Sequence, residues 1–344
     1  MKRIGILTGG GDCPGLNAAI RAVVRRAIAQ HGLSVAGVRS GWHGLLTGEI
    51  EELTLDSVSG ILPKGGTILR TSRVNPLDNS DGPRRVLDNL KRFRIEALIV
   101  VGGEDTLGVA HKFSQMGVRL VGVPKTIDND LPSTDYAFGF DTAVTIATEA
   151  IDRLHSTAES HHRVMVVEVM GRHTGWIATI AGIAAGADCI LVPEVPFSIE
   201  EVCRLLRKRQ ARGKDFSVVV VAEGAKPAEC DDLVTCSNQV DPFGHVRLGG
   251  IANVVGQEIE KRTGMEVRVT ILGHVQRGGS PTPFDRVLAT RFGIAAVDLV
   301  VRGEFAKMVS LRGNRIEAID LVEATSGIKA LDMEIYEIAK VFFG

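Results

Sequence analysis

The sequence predicts a protein of the α/β class with two similar domains and mostly parallel sheets. Three observations favour this fold. Short apolar runs bounded by glycines recur along the chain, which is typical of buried parallel strands. Apolar residues at helical spacing follow several of these runs, as at 16–27 and 141–154. The pattern occurs in both halves of a chain of 344 residues, which favours two domains facing each other across a cleft.

The first predicted strand, residues 3–7, runs into the glycine loop GGGDCPG at 9–15 and then into the predicted helix at 16–27. This order is typical of phosphate binding, because loop N–H groups and helix amino ends favour anions. The loop matches neither the GxGxxG nor the GxxxxGK[ST] fingerprint. Residues 34–38 are the second predicted strand, and 42–61 show no clear period.

A second glycine-marked loop, KGGTILRTSR at residues 64–73, carries three cations. Arg73 is a candidate phosphate contact, because a guanidinium pairs well with phosphate oxygens. An arginine that is only solvated remains the simpler alternative at this point.

Two polar clusters follow the apolar runs 97–101 and 120–124. Ligands of open α/β sheets collect beyond the carboxyl ends of such strands. A helix is predicted to begin at Thr106, and its amino end favours anions. Carboxylates crowded there repel one another unless a divalent metal or a proton transfer is involved. The clusters therefore indicate Mg²⁺ with a phosphorylated substrate, through Glu104, Asp105, Lys125, Asp128 and Asp130.

The later strands repeat this arrangement, with a polar group after each apolar run. The run 164–170 leads into MGRHTG, the run 217–222 into Glu223, and the run 267–272 into GHVQRGG. Residues 229–244 are polar and irregular, and predict a surface loop.

Composition narrows the class of function. The net charge of −1 argues against nucleic-acid or membrane-surface binding, because it supplies no broad basic field. No apolar run is long enough for a signal peptide or a membrane span. The five cysteines lack CxxC spacing, which predicts a reduced, cytoplasmic protein without a zinc site. We interpret Cys13 as a small neutral filler of the glycine loop.

Six motifs together resemble the 6-phosphofructokinase family: GGGDCPG, GGEDT at 102–106, PKTIDND at 124–130, MGR at 170–172, EG at 223–224 and LGHVQRGG at 272–279. The resemblance extends to about Gly293. It implies two Rossmann-like three-layer domains with the active site in their cleft. The expected larger, donor-binding domain is 1–139 plus about 276–325, and the smaller, sugar-binding domain is about 140–275 plus 326–344.

The resemblance also implies roles for the motif residues. Asp128 matches the catalytic base, which would take the proton from the 1-hydroxyl of fructose 6-phosphate. Thr126, Ile127 and Asp130 match its neighbours at the substrate. Glu104 stands at the family's metal position, where a carboxylate can hold Mg²⁺ directly or through water. The remaining implied donor contacts are Gly11 and Arg73.

Further motif residues match the family's sugar site. They are Met170, Gly171, Arg172, Glu223, His274, Val275, Gln276 and Arg277. Arg163 and Arg268 match arginines that reach the 6-phosphate in a neighbouring subunit of relatives. The resemblance therefore implies a homodimer or homotetramer whose active sites are completed across an interface.

Asp105 and Lys125 depart from the pattern of ATP-using relatives, which usually carry glycine at both positions. A carboxylate at 105 intrudes on the space of the nucleotide and repels it, whereas a lysine at 125 can neutralise the departing phosphate. The pair predicts pyrophosphate as the phosphoryl donor, with reversible transfer giving fructose 1,6-bisphosphate and phosphate.

Three alternatives remain open from the sequence. The chain could be an ATP-dependent phosphofructokinase that tolerates Asp105, a lipid or dinucleotide kinase with a similar GGEDT loop, or a non-enzymatic metabolite sensor. We also expect a weak or absent response to effectors, because His155 stands where regulated relatives carry an arginine.

Overall fold

The computed structural model describes residues 1–228, 235–240 and 246–344. They divide into two compact units. Unit 1 contains Met1–Thr142 and Arg277–Lys329, and unit 2 contains 143–228, 235–240, 246–276 and Ala330–Gly344. Among the described helices, none is long and apolar enough to cross a membrane.

The strands, in chain order, are β1 (Arg3–Thr8), β2 (Ser34–Val38), β3 (Ile50–Leu53), β4 (Ala97–Gly102), β5 (Leu120–Thr126), β6 (Phe138–Gly139), β7 (Val164–Val169), β8 (Cys189–Leu191), β9 (Ser217–Ala222), β10 (Thr235–Val240), β11 (Val246–Leu248), β12 (Val267–Ile271), β13 (Lys307–Arg312) and β14 (Arg315–Asp320).

The α-helices are α1 (Leu16–His31), α2 (Trp42–Thr47), α3 (Gly82–Arg92), α4 (Glu104–Gln115), α5 (Phe140–His161), α6 (Trp176–Ala184), α7 (Ile199–Ala211), α8 (Ile251–Thr263), α9 (Pro283–Arg302) and α10 (Met333–Lys340). Two short 3-10 helices cover Gly273–Arg277 and Glu323–Thr325.

The sheet of unit 1 has the strand order β14-β13-β5-β4-β1-β2-β3, and β6 pairs with β5. Pairing is parallel throughout its centre, and only the edge strands β3 and β14 run antiparallel to their neighbours. Because β1, β4 and β5 are adjacent and parallel, the loops after them leave from the same edge of the sheet. The fold thereby brings three of the sequence motifs together.

The core of unit 1 explains why these strands and helices form. Strands β4 and β5 are buried on both faces, as expected for near-continuous apolar runs covered by helices. Trp42 of α2 stacks on Phe113 of α4, with ring centroids 5.2 Å apart. The Trp42 indole N–H donates to the carbonyl oxygen of Thr106 at 3.3 Å. The aromatic pair therefore anchors the first turns of α4.

Unit 2 is built on the parallel sheet β12-β7-β9-β8. One of its two inner strands, β7, carries a buried carboxylate, Glu168, among valines. The two oxygens of Glu168 accept hydrogen bonds from the N–H groups of Gly250 and Ala252, at the amino end of α8. A remote carboxylate thus caps this helix, because its N-cap residue is a glycine without a side chain.

The predicted fold class, α/β with mostly parallel sheets, is confirmed. The strand prediction for 34–38 matches β2, and that for 217–222 matches β9. The region 42–61, which shows no period, contains the short elements α2 and β3. The predicted loop 229–244 is wrong over Thr235–Val240, which forms β10, and its other residues lie outside the described ones.

Candidate active site

The glycine loop after β1 is held by neighbouring backbone. Gly9 N–H donates to the carbonyl of Val101 in β4 at 2.9 Å, and Gly10 N–H donates to that of Ser72 at 3.0 Å. The Thr71 hydroxyl donates to the Gly10 carbonyl at 2.6 Å. Arg73 directly follows Ser72, so it is adjacent to a segment that is hydrogen-bonded to the glycine loop.

The loop at 64–68 is fixed to the same region by Asn17 in the second position of α1. The buried Asn17 side chain donates through Nδ2 to the carbonyl of Lys64 at 3.0 Å and accepts through Oδ1 from Ile68 N–H at 2.9 Å. Asn17 was not a predicted site residue. Sequence alone gave no signal for it, because its partners are backbone atoms about 50 residues away.

Helix α4 begins at Glu104, so the prediction that it begins at Thr106 is wrong. Gly103 is the N-cap residue and offers no side-chain cap. Glu104 and Asp105 occupy the first turn instead, where a negative charge is stabilised by the helix dipole. Both are half-buried, and a purely helix-stabilising role is the simpler explanation for two such acids.

Thr106 explains two of the glycines in the predicted motifs. A Cβ atom on Gly9 would lie 2.7 Å from Cγ2 of Thr106, and one on Gly102 would lie closer still to its Cβ. Real Cβ atoms do not approach that closely, so the buried Thr106 requires glycine at both places. The glycine loop and the amino end of α4 consequently pack closely, with the Thr106 side chain between them.

Lys125, the penultimate residue of β5, contacts the glycine loop and is almost fully buried, at 3% exposed. Its ammonium donates to the Gly11 carbonyl at 2.5 Å. Burial lowers the pKa of Lys125, and the positive Arg277 lowers it further. The structure therefore places a poorly hydrated cation against the predicted donor loop.

Arg277 also contacts this loop. Its Nη1 donates to the carbonyl of Asp12 at 3.2 Å, and a Cβ on Gly11 would collide with the guanidinium. The resemblance implies that Arg277 is a sugar-site residue. In unit 1 this arginine packs on the loop implied to bind the donor, so its positive charge adds to that of Lys125.

Cys13 fits the interpretation as a filler. Its side chain is buried, and burial raises the pKa of the thiol to about 12. A Cβ on Gly139 would meet the Cys13 sulfur at 2.5 Å. The thiol therefore fills space between the loop and β6 and stays protonated at neutral pH.

The TIDND segment places Asp128 just beyond β5. Asp128 is buried, and its N–H donates to the hydroxyl of Thr126 at 3.0 Å. Asn129 adopts the left-handed conformation, with φ of 52°, which is tolerated by asparagine better than by most residues. Ile127 is also buried, whereas Asp130 is half-buried. The buried carboxylate of Asp128 lies close enough to Lys125 for their charges to interact.

In unit 2, the MGR and EG motifs fix each other. Glu223 Oε1 accepts hydrogen bonds from the N–H groups of Gly171 and Arg172, at 3.3 and 3.0 Å. Arg172 is left-handed, with φ of 50°, and a Cβ on Gly224 would collide with its carbonyl oxygen. Gln276 is buried and accepts from the N–H of Met170 at 3.3 Å. His274 and Val275 are exposed beside it.

Two arginines contact the same carboxylate. Arg163 directly precedes β7, and Arg268 lies in the neighbouring strand β12. Arg163 Nη2 lies 2.9 Å from Glu266 Oε1, and Arg268 Nη2 lies 2.5 Å from the same oxygen. The Arg163 guanidinium lowers the pKa of Glu266. Glu266 was not predicted, although its place two residues before Arg268 is visible in the sequence. The structure thus groups two guanidiniums around one carboxylate.

No group of three or more histidine, cysteine or acidic side chains with metal-binding geometry occurs among the residues described. Mg²⁺ usually binds one or two carboxylates and completes its shell with water and substrate phosphates. Glu104, at a phosphate-favouring helix end, fits that manner of binding. The described residues therefore form no metal site made of protein ligands alone.

The chain resembles known proteins over nearly its whole length. Residues 3–300 match the family model described as phosphofructokinase. The chain is 57% identical over 343 residues to a pyrophosphate--fructose 6-phosphate 1-phosphotransferase of Streptomyces coelicolor, covering 99% of this chain and 100% of that one. It is 54% identical to ATP-dependent 6-phosphofructokinase 3 of the same organism, covering 96% of each.

A solved structure agrees with the fold. The crystal structure of Pichia pastoris phosphofructokinase in the T-state superposes with a TM-score of 0.84 at 33% identity. The match covers 99% of this chain and 36% of the longer yeast chain. The sequence resemblance and the Rossmann-like architecture that it implied are therefore confirmed.

Proposed function

Because this chain belongs to the phosphofructokinase family and is a phosphotransferase, we propose that it transfers phosphate from pyrophosphate to the 1-hydroxyl of fructose 6-phosphate. The P–O–P bond of pyrophosphate breaks, a bond forms between phosphorus and the sugar oxygen, and inorganic phosphate leaves. The bond broken and the bond made are similar in free energy, so the reaction runs in both directions.

One observation carries the choice of donor: the buried ammonium of Lys125 on the glycine loop, with Asp105 in the first turn of the adjacent helix α4. Lys125 can neutralise the charge that grows on the leaving phosphate, and it does so in a poorly hydrated place. In this proposal ATP, with its additional phosphate and nucleoside, has to pass the carboxylate of Asp105. A phosphate charge about 4 Å from that carboxylate, at an effective dielectric of about 20, is repelled by about 4 kcal/mol.

The acceptor chemistry uses Asp128 as general base. Its carboxylate takes the proton of the 1-hydroxyl as the new bond forms, while Thr126 and Asp130 orient that hydroxyl. Glu104 would hold Mg²⁺, which when bound would supply charge neutralisation at the transferring phosphate. Met170, Gly171, Arg172, Glu223 and His274 bind the sugar, in line with the fixed MGR and EG turns.

The second part of the proposal concerns assembly. Arg163 and Arg268 reach the 6-phosphate in a neighbouring copy, so the active protein is a homodimer or homotetramer. The convergence of both guanidiniums on Glu266 supports a common anionic target. Bidentate gripping by arginine suits a phosphate better than a point charge does.

The decisive experiment compares pyrophosphate and ATP as donors for the purified protein at saturating fructose 6-phosphate. We expect strong preference for pyrophosphate and exchange of labelled phosphate into fructose 1,6-bisphosphate. A preference for ATP would overturn the choice of donor and favour an ATP-dependent phosphofructokinase, the second candidate, since relatives of that name are 54% identical.

Matched variants separate the charge of Asp105 from its size. Asp105→Asn removes the charge at constant volume, and Asp105→Gly removes both. We expect ATP turnover to rise about 1,000-fold in Asp105→Gly and by an intermediate factor in Asp105→Asn. Lys125→Met should lose pyrophosphate turnover, whereas Lys112→Met, an exposed lysine on α4, should not.

A further inference from the structure

The loop after Asp128 is bonded to a lysine about 200 residues further along the chain. Lys329, the last residue of unit 1, donates its backbone N–H to the Asp130 carbonyl at 2.8 Å. Its ammonium donates to the carbonyls of Thr134 and Asp135, at 2.8 and 2.9 Å. One residue therefore holds both the start and the turn of the loop at 128–137.

Inside this loop the same carbonyl serves a second donor. Asn129 Nδ2 donates to the Asp135 carbonyl at 3.3 Å, and Asn129 Oδ1 accepts from the Ala137 N–H at 3.1 Å. A continuous set of hydrogen bonds thus runs from Lys329 through Asp135 to Asn129, the neighbour of Asp128. Movement of the Asp135 carbonyl would pass directly to the backbone next to the proposed base.

The conformation of the loop requires such support. Asn129 and Ser133 both have positive φ, 52° and 61°, which most side chains avoid. Strand β13 holds the middle of the loop, where the Ser310 hydroxyl donates to the Ser133 carbonyl and Leu311 N–H to the Thr134 hydroxyl. Lys329 adds a cationic donor, and donors of this kind form stronger hydrogen bonds than neutral ones.

The side chain of Lys329 is half-buried. Burial lowers the pKa of Lys329 to about 8, and Asp135 and Asp130 partly counter this effect. The amino group is therefore mostly protonated at neutral pH and donates to two carbonyl oxygens. Loss of the ammonium leaves those carbonyls without that donor in a partly buried place.

We propose that Lys329 is a positioning residue for the proposed phosphoryl transfer: it holds the 128–137 loop in the form that presents Asp128 to the acceptor hydroxyl. The proposal rests on the role of Asp128 as base. It predicts an effect on the chemical step rather than on substrate binding, because Lys329 acts on the loop and not on either substrate.

The test replaces Lys329 with methionine, which keeps the backbone N–H and the length of the side chain. We expect kcat to fall about 30-fold, in keeping with a misplacement of the base by about 1 Å, while KM for each substrate changes less than about threefold. Hydrogen exchange of peptides covering 128–137 should become faster. Lys329→Arg should recover most of kcat, because it keeps the charge and several donors.

Lys307→Met is the matched control. Lys307 lies in the nearby strand β13 and pairs with Asp320 at 2.7 Å on the surface. We expect this variant to keep kcat and the exchange pattern. A Lys329→Met protein with kcat like the wild type would overturn the proposal. So would equal losses in kcat and substrate affinity together with a lowered melting temperature, because that result indicates a general structural role.

Two further measurements keep the test independent. If Lys329→Met fails to fold, Lys329→Gln, whose amide keeps two N–H donors but no charge, should show an intermediate kcat, and wild-type kcat there contradicts the proposal. All variants are assayed with whichever donor the wild type uses. Turnover with ATP alone then refutes the choice of donor, while the comparison between Lys329 variants still decides the role of Lys329.

Discussion

The proposed donor region of unit 1 and the proposed sugar region of unit 2 differ in how deeply their charged side chains are buried. Lys125 and Asp128 are 3% and 5% exposed and lie among backbone hydrogen bonds. Arg268 and Glu266 have side chains that are 51% and 42% exposed. Charges in the first set interact strongly and are little affected by salt, whereas those in the second are screened. The difference is consistent with the proposed roles, a preorganised centre for phosphoryl transfer in unit 1 and an exposed one for the sugar phosphate in unit 2.

We expect the largest effect from a change to Asp128, one of the two buried charged residues. Asp128→Asn keeps the shape of the proposed base but cannot accept the proton, so we expect kcat to fall about 1,000-fold, or about 4 kcal/mol in the barrier. Steady-state kinetics with pyrophosphate measure it. Asp320→Asn, an exposed carboxylate paired with Lys307, serves as the control and should leave kcat unchanged.

A second prediction contrasts two carboxylates through pH. Asp285, buried at the start of α9, accepts from both the N–H and the hydroxyl of Thr142, and burial raises its pKa from 3.8 to about 6. Between those values the folded protein binds the extra proton, so its stability falls as pH rises through this window, by up to about 3 kcal/mol. Asp285→Asn should lose this dependence.

The contribution of Glu266 to stability changes with pH in the opposite direction. Its pKa is lowered by Arg163, so its contribution to stability is present above the pKa of the unfolded chain and is lost as pH falls. Urea unfolding at pH 4.5 and 7 therefore separates the two variants. Relative to the wild type, Asp285→Asn should gain stability between these pH values, and Glu266→Gln should not. Equal slopes for both would contradict the contrast.

The third prediction concerns the arginines of the proposed sugar region. Replacing Arg163 and Arg268 together by alanine should raise KM for fructose 6-phosphate about 30-fold and leave KM for pyrophosphate within about twofold, because the lost contacts go to the 6-phosphate. Mixing this double variant with Asp128→Asn should restore roughly a quarter of wild-type activity if subunits exchange randomly in a dimer with shared sites. Activity that stays absent after exchange has been demonstrated argues against shared sites.

The smallest effects come from two glycines. Gly224→Ala meets the backbone oxygen of Arg172, which cannot move alone, so we expect a loss of about 2 kcal/mol in stability. Gly11→Ala meets the end of the flexible Arg277 side chain, which can shift, so stability should hold while KM for pyrophosphate rises about threefold. Gly108→Ala, in open space within α4, should be neutral or slightly stabilising.

Sequence reasoning predicted the strands and their polar ends well, because buried parallel strands such as β2 and β9 are uninterrupted apolar runs between turn residues. It missed α2 and β3, which are too short to show a period. It also placed the start of α4 two residues late, since Gly103 carries no capping side chain as a signal.

The motifs identified the residues proposed to contact substrates but not the residues that hold them in place. The sequence did not predict roles for Lys329 and Asn17, because their partners are backbone carbonyls and N–H groups far away in the chain. Backbone groups are the same at every position, so such contacts leave no pattern in the sequence. The order of the strands decides which of them are brought together.

The contact between Trp42 and the first turns of α4 gives the molecule a built-in optical probe. Its indole touches the carbonyl of the threonine that separates the two glycine turns of unit 1. The chain has one other tryptophan, Trp176, which begins α6 in unit 2. With that residue changed to phenylalanine, the emission of a single fluorophore would follow events at the glycine loop in real time, without any label.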